Sequence, residues 1–485
     1  MRPLTLVLVA LVVLAAGSPE AASAAGQAVR PNIVFILTDD QDVRSTAHMP
    51  QLRAHLAAAG VTFTNFFVTT ALCCPSRASV LRGQYVHNHQ VYTNRPPRGG
   101  FERFQALGHE RSTVATWLQA AGYRTVLLGK YLNGYPAPDA ATYVPPGWEE
   151  WYSPSRGGYR NFGYTLNENG KLVTYGNRPE DYLTDVLARK AADVIRRSGR
   201  DGKPFFIYLA TYAPHAPATP APRHAGAFTD VSAPRPPSFD EADVSDKPAW
   251  VRSREPLTAR QRAAIDALYR TRLRSLLAVD ELIAALVDTL RTTGLLDRTY
   301  IIFTSDNGYH MGEHRLQPGK NSAFEEDIRV PMLVRGPGVP AGRVVEALTL
   351  NIDLAPTFAA LAGVPIPAFV DGRSLAGWLG NTPPQTWREV FAVEHYADRP
   401  VSELRPARRA RQIPEFAGLR MHDLVYIEYK TGERELYDLA ADTYQLRNLA
   451  AAAPQGLIAQ LSGRLAALRE CRGRSCLAAE NAPSR

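Results

Sequence analysis

One layout, repeated along the chain, limits what this sequence can fold into more than anything else in it. Asn32–Thr38 is an unbroken run of β-branched and aromatic residues that passes directly into Asp39, Asp40, Gln41 and Asp42. Residues 204–210 form a second such run, ending at Thr211-Tyr212-Ala213-Pro214-His215, and residues 300–304 a third, ending in Ser305-Asp306-Asn307-Gly308. Short apolar runs without alternation predict strands buried on both faces, the signature of a parallel sheet. Ligands of open α/β sheets collect beyond the carboxyl ends of such strands. A lone Asp-Asn-Gly is a common turn, and a lone histidine in such a place is as compatible with a structural role. The repetition is what argues for a site at one sheet edge. Residues 123–128 add a shorter strand that ends at Gly129-Lys130 and faces the same edge. Surface exposure is the usual state of a lysine.

Between these strands the apolar spacing predicts helices over 49–59, 113–121, 181–197, 258–293 and 351–362, and residues 330–335 read as a further strand. Residues 135–175 are rich in Tyr, Trp, Pro and Gly with little periodicity and read as loops. Their aromatics suit stacking on sugar rings and loop packing equally well. Residues 216–255 hold many prolines and read as an irregular insertion near the site. The chain is expected to leave the large sheet near 365–372. Segments 390–394, 424–429 and 435–437 then read as an antiparallel set, followed by a helix over 457–468. This divides the chain into a signal peptide over 1–24, a catalytic domain over 25–370 and a C-terminal subdomain over 371–485.

Chemistry concentrates in Cys73-Cys74-Pro75-Ser76-Arg77. Pro75 lacks a backbone donor and presets φ, so it belongs in the first turn of a helix, with the cysteines at or just before its cap. Free N–H groups and the positive end of the helix dipole meet there, with Arg77 in the same turn, a setting for an oxyanion. Buried core thiols are the plainer alternative. Asp39, Asp40, Asp306 and the amide oxygen of Asn307 make a set of hard oxygen donors that suits Ca²⁺ or Mg²⁺. Three carboxylates around one divalent ion leave a negative balance, so an anion can approach only with cations such as Arg77, Lys130 and Lys320 nearby.

Compartment and partners follow from the termini and the charge. Arg2, an apolar run over 4–16 and Ala22-Ser23-Ala24 predict a secretory signal peptide, hence a secreted or extracytoplasmic protein. No other stretch has the roughly 20 apolar residues a membrane span needs. The net charge of +8 points to an anionic partner. No nucleic-acid motif accompanies it, which favours a sulfated glycan or small anion over nucleic acid. Cys471 and Cys476, five residues apart, read as a local disulfide in an oxidising compartment, with a metal half-site as the alternative.

Taken in order, Asp39-Asp40, the Cys73-Cys74-Pro75-Ser76-Arg77 motif, Gly129-Lys130, Pro214-His215, Asp306-Asn307-Gly308 and Lys320 resemble the type I, formylglycine-dependent sulfatase family. The resemblance implies an alkaline-phosphatase-like α/β fold: a large mixed sheet flanked by helices, with a smaller C-terminal domain carrying an antiparallel sheet. It implies one Ca²⁺ held by Asp39, Asp40, residue 73, Asp306 and Asn307, and a Cys73 oxidised to Cα-formylglycine by a formylglycine-generating enzyme. It further implies catalytic roles for Cys73, Arg77, Lys130, His215 and Lys320. The hydrated aldehyde would attack sulfur with Asp306 helping to deprotonate it, His215 or Lys320 would serve the departing alkoxide, and Arg77 and Lys130 would hold the nonbridging oxygens.

Within the family, Gly129-Lys130-Tyr131-Leu132-Asn133, Asp181-Tyr182-Leu183-Thr184-Asp185 and Ser305-Asp306-Asn307-Gly308-Tyr309-His310 are similar to the N-acetylglucosamine-6-sulfatases, which implies a 6-sulfated sugar as substrate. A broad arylsulfatase, a phosphoester hydrolase of the same fold, and a silent binder of sulfated glycan with unmodified Cys73 are the alternatives. Many sulfatases carry a histidine two residues after the glycine-paired lysine. Leu132 stands there, leaving His87 or Asn133 as candidates for its work.

Overall fold

Asn32–Thr38 is buried along its whole length because it lies in the middle of a ten-stranded sheet. It pairs in parallel with Phe205–Ala210 on one side and with Thr299–Ser305 on the other. The computed structural model describes residues 30–397 and 412–481, so the expected signal peptide lies outside the described residues. Beyond Phe205–Ala210 the sheet continues in parallel through Arg124–Gly129 and Glu150–Arg156, then antiparallel through Thr165–Glu168 and Lys171–Thr174. Beyond Thr299–Ser305, Met332–Arg335 runs antiparallel, followed by Val61–Phe63 and Arg343–Val345. The sheet is therefore mixed, with a parallel centre, as expected.

Alternation along the central strand feeds two cores. Ile33, Phe35 and Leu37 join the core that includes residues of the Cys73–Arg82, Val114–Ala120 and Leu354–Leu361 helices. Val34 and Ile36 join the one that includes residues of Leu183–Asp201 and the long Ala259–Thr292 helix. Helices on both faces explain why the strand reads as a continuous apolar run.

Residues 135–175 differ from their reading as loops, since they supply three strands at one side of the sheet. Pro154 lies in the first of them, where a register shift between Pro154 and Arg156 interrupts the pairing, and Gly170 closes the hairpin between the other two. Those features hide a two-residue period. Tyr131, Tyr135 and Trp151 meet edge to face at 5.0–5.6 Å, with Phe101 against Tyr135 at 5.3 Å. These aromatics are packing. The helix expected over 49–59 is a short α-turn, Pro50–Leu52, running into a π-helical turn, Arg53–Ala57.

Val390–His395, Phe416–Met421, Leu424–Tyr429 and Arg434–Asp438 form a four-stranded antiparallel sheet, with the Gln455–Glu470 helix beyond it in sequence. This sheet shares a core with the large one, Phe391 lying 5.1 Å from Phe67 between ring centres. Cys471 and Cys476 are bonded to each other, and Cys73 and Cys74 are free and buried. No described helix is long and apolar enough to cross a membrane.

Candidate active site

Three strand ends are laced together by their own backbones before any side chain is considered. The Asp39 N–H donates to the Ala213 carbonyl at 3.2 Å and the Asp306 N–H to that of Thr38 at 3.1 Å. Asp40 takes a left-handed φ of 66°, a region an aspartate tolerates better than most residues, and donates its N–H to Asp306 Oδ1 at 3.1 Å. Gly129 precedes Lys130 with φ 95°, and a Cβ there would stand 1.9 Å from the Ala210 carbonyl oxygen. Only glycine lets the lysine-bearing strand end approach its neighbour this closely.

Pro75 lies in the first turn of a helix as expected, but the cysteines lie inside that helix and not at or before its cap: Leu72 is the cap, and Cys73 is the first of ten helical residues, every one of which is buried. Its Sγ lies 2.6 Å from Lys320 Nζ, 3.5 Å from Asp39 Oδ1 and 3.9 Å from Asp40 Oδ1. Lys130 Nζ donates to Asp39 Oδ2 at 2.6 Å. Lys320 also pairs with Asp40 and approaches Asn307 Oδ1 at 3.4 Å, while Asn307 Nδ2 donates to Asp40 Oδ1 at 2.8 Å. His215 donates from Nδ1 to the Ala216 carbonyl at 2.7 Å, which turns Nε2 toward Asp40 Oδ2 at 3.6 Å. With its side chain 25% exposed, His215 is the most open of these groups, against 12% for Lys320 and 3% or less for Asp39, Asp40, Arg77 and Lys130. The structure thus brings together every site residue read from the sequence.

Arg77, expected on the sulfate oxygens, has one buried terminal nitrogen without a hydrogen-bond partner, and its other donors are engaged within the site. Its Nε donates to Asp306 Oδ2 at 2.7 Å and one terminal nitrogen to the Lys130 carbonyl at 2.9 Å, so it braces two site residues from behind. His87 pairs with Glu394 at 2.6 Å beside the small sheet, away from the cysteine, and so does not replace the histidine missing at Leu132. Leu132 itself is core. Two contributors carry no sequence signal. Arg272, within a regular amphipathic helix, donates to the Asp40 carbonyl and, at 3.2 Å, to that of Pro214. Asp327 accepts from the Ser322 N–H at 2.9 Å and lies 2.8 Å from His310 Nδ1, tying down the loop that carries Lys320.

Electrostatics separate the acids. Burial alone would raise Asp39, but Lys130, His215, Arg77 and Lys320 together hold it well below the ordinary carboxylate range. Burial and the Asp39 charge raise Asp306 despite Arg77. Burial pushes the Cys73 thiol up to about 12, so an unmodified cysteine here is a neutral thiol at physiological pH and a poor nucleophile. Asp39, Asp40, Cys73 and His215 offer ligand atoms all within 4.8 Å of one another. The ammonium of Lys320 collects Asp40 Oδ1, Asn307 Oδ1 and Cys73 Sγ, three of the expected metal donors. A donor set that converges on a cation in this way, and is mostly oxygen, fits a hard divalent ion.

Paired acids at parallel strand ends, faced by cations around the first residue of a helix, suit an oxyanion ester beside a metal and define a hydrolase of such esters. Sequence relationships narrow the class. Residues 31–364 match the sulfatase family and residues 312–471 match the C-terminal region of N-sulphoglucosamine sulphohydrolase, so the chain belongs to the sulfatase family. The human N-acetylglucosamine-6-sulfatase is 37% identical, the match covering 92% of this chain and 86% of that one. An arylsulfatase of Volvox carteri is 36% identical, covering 94% and 77%. An extracellular sulfatase SULF-1 homologue of Drosophila melanogaster is 39% identical over 79% of this chain, which spans about a third of that longer protein (34%). A solved complex with D-glucosamine-2-N,6-O-disulfate superposes with a TM-score of 0.76 at 26% identity, covering 90% of this chain and 97% of that one.

Proposed function

We propose that the protein hydrolyses the 6-sulfate of an N-acetylglucosamine or related sugar, using Cys73 as Cα-formylglycine and one Ca²⁺. The observation that carries this reading is the surroundings of Cys73. A thiol held neutral by burial, at a helix N-terminus between Lys320 and Asp39, is ill suited to attack as it stands and well placed once oxidised. As a hydrated aldehyde, residue 73 supplies one hydroxyl to attack sulfur and a second whose collapse expels sulfate. A divalent ion held by Asp39, Asp40, Asp306 and Asn307 supplies Lewis acidity beside it.

The rest is the work of this chain's side chains. Lys130 Nζ and Lys320 Nζ, both kept protonated by neighbouring carboxylates, stabilise charge on the sulfate oxygens. Asp306, raised by its burial and by Asp39, is disposed to accept a proton from residue 73. His215 Nε2, at the open side, is placed to hand a proton to the departing sugar oxygen. Arg77 keeps Asp306 and Lys130 in register.

Support for the sugar comes from the 37% identical N-acetylglucosamine-6-sulfatase and from the complex with a 6-O-sulfated glucosamine. The arylsulfatase at 36% identity supports a second reading, a broad arylsulfatase, because the two identities do not separate them. Comparing kcat/KM for N-acetylglucosamine 6-sulfate, other sulfated monosaccharides and an aryl sulfate tests the choice. Turnover of the aryl sulfate with none of the 6-sulfated sugar overturns the sugar reading and leaves the sulfatase reading standing. Export from the cytoplasm and oxidation of Cys73 by a formylglycine-generating enzyme complete the proposal. Mass spectrometry of the Cys73 peptide checks the second, and thiol alone in an active preparation refutes it.

A further inference from the structure

Tyr159 belongs to none of the motifs above, yet it stands among the residues that face the substrate. Its ring lies 5.3 Å from Lys130 Nζ, 4.7 Å from the His215 ring and 4.8 Å from the Tyr212 ring between centres. The chain goes to some length to put it there. Gly157 has φ 80° and Asn161 φ 59°, and a Cβ on Gly158 would stand 2.6 Å from the Tyr212 ring. The ring is half-buried, beside the one site histidine that opens toward solvent.

The hydroxyl is the informative atom. Asn133 Nδ2 donates to its oxygen at 3.4 Å, and the Lys130 ammonium lies over the ring, 5.3 Å from its centre. With that oxygen accepting from Asn133, its own proton is left to be given away, and no described protein acceptor takes it. We propose that Tyr159 is a substrate-binding residue that donates its hydroxyl proton to an oxygen of the bound sulfate, between Lys130 and His215. It thereby supplies a neutral donor beside the Lys130 ammonium. Burial raises the phenol further above its ordinary range, so it remains a donor throughout the working pH. The inference rests on the sulfate-ester reading and deepens it.

Tyr159→Phe removes the donor and keeps the ring, and inorganic sulfate binding measured by calorimetry reads the result without any turnover. Loss of one hydrogen bond to a charged group predicts about tenfold weaker sulfate binding and about tenfold lower kcat/KM for N-acetylglucosamine 6-sulfate. The thermal midpoint should not move. Tyr159→Ala, which also removes the cation–π and ring contacts, should lose more. If Tyr159→Phe binds sulfate as tightly as the unaltered protein, or the unaltered protein binds none, the inference is overturned. Tenfold weaker sulfate binding in a protein that turns over no sulfate ester would uphold Tyr159 and overturn the proposed reaction instead.

Discussion

The charges around Cys73 and those around Arg388 are both largely buried, yet they are put together differently. Arg388 donates to Asp353 Oδ1 at 2.8 Å and to Glu480 Oε2 at 3.0 Å, both partners fully buried. Asp353 also accepts the Leu350 and Arg373 N–H groups at 2.8 Å, and Glu480 accepts the Tyr85 hydroxyl at 2.5 Å. Each group there answers another, and the cluster is closed. Around Cys73, three acids and three cations form one network, of which Asp39, Asp40 and Lys320 reach the cysteine, and it leaves a side open at His215. Burial of charge is common to both. Convergence on a common point, with access to it, is what separates a site from a brace.

The sharpest way to break this comparison is to remove the point of convergence. Cys73→Ala should lower turnover of any sulfate ester by about 10⁴-fold or more while leaving the unfolding midpoint unchanged, and Cys74→Ala should be far milder. Next in size, Asp39→Asn should cost about 10²–10³-fold in kcat and reduce the single equivalent of divalent metal found by elemental analysis. Active protein containing no divalent metal would refute the metal assignment. Arg388→Met should show the opposite pattern: Asp353 left buried without its cation, and Glu480 with Arg373 alone, cost about 3–5 kcal/mol in urea unfolding, with kcat of the folded protein intact. A fall in kcat there would blur the distinction between the clusters.

The smallest effect concerns His87, paired with Glu394 at the seam between the sheets. Burial opposes its charging, but the Glu394 hydrogen bond and charge outweigh that and raise its pKa above the usual 6.5. A raised histidine contributes stability that is complete below about pH 6.5 and lost as pH rises through the folded value. His87→Gln should therefore lower the melting midpoint by about 1–2 °C at pH 5.5 and by less at pH 8.5.

What could be read from the sequence follows from how local each feature is. Asp39, Asp306 and Lys130 stand directly after the strands that deliver them, and Cys73 shares the first turn of its helix with Pro75, so four or five consecutive residues suffice. Asp353, Arg388 and Glu480 lie 35 and 92 residues apart in successive steps, and nothing near any of them announces the other two. Tyr159 and Arg272 reach their partners only when segments distant in sequence meet. The strands within 135–175 escaped notice because a register shift and glycine turns erase their period.

The complete burial of the Cys73–Arg82 helix also imposes a schedule. An enzyme that recognises Cys73, Pro75, Ser76 and Arg77 in the finished protein would have to pull a helix out of the main core, an opening close in cost to global unfolding. On the proposed reading, oxidation of Cys73 would therefore belong to the interval between emergence of the chain and its collapse. Chains that fold first would then be sealed as stable, inactive copies. The fraction of working enzyme in any preparation is then decided by a race between modification and folding, and slowing synthesis or folding should raise it.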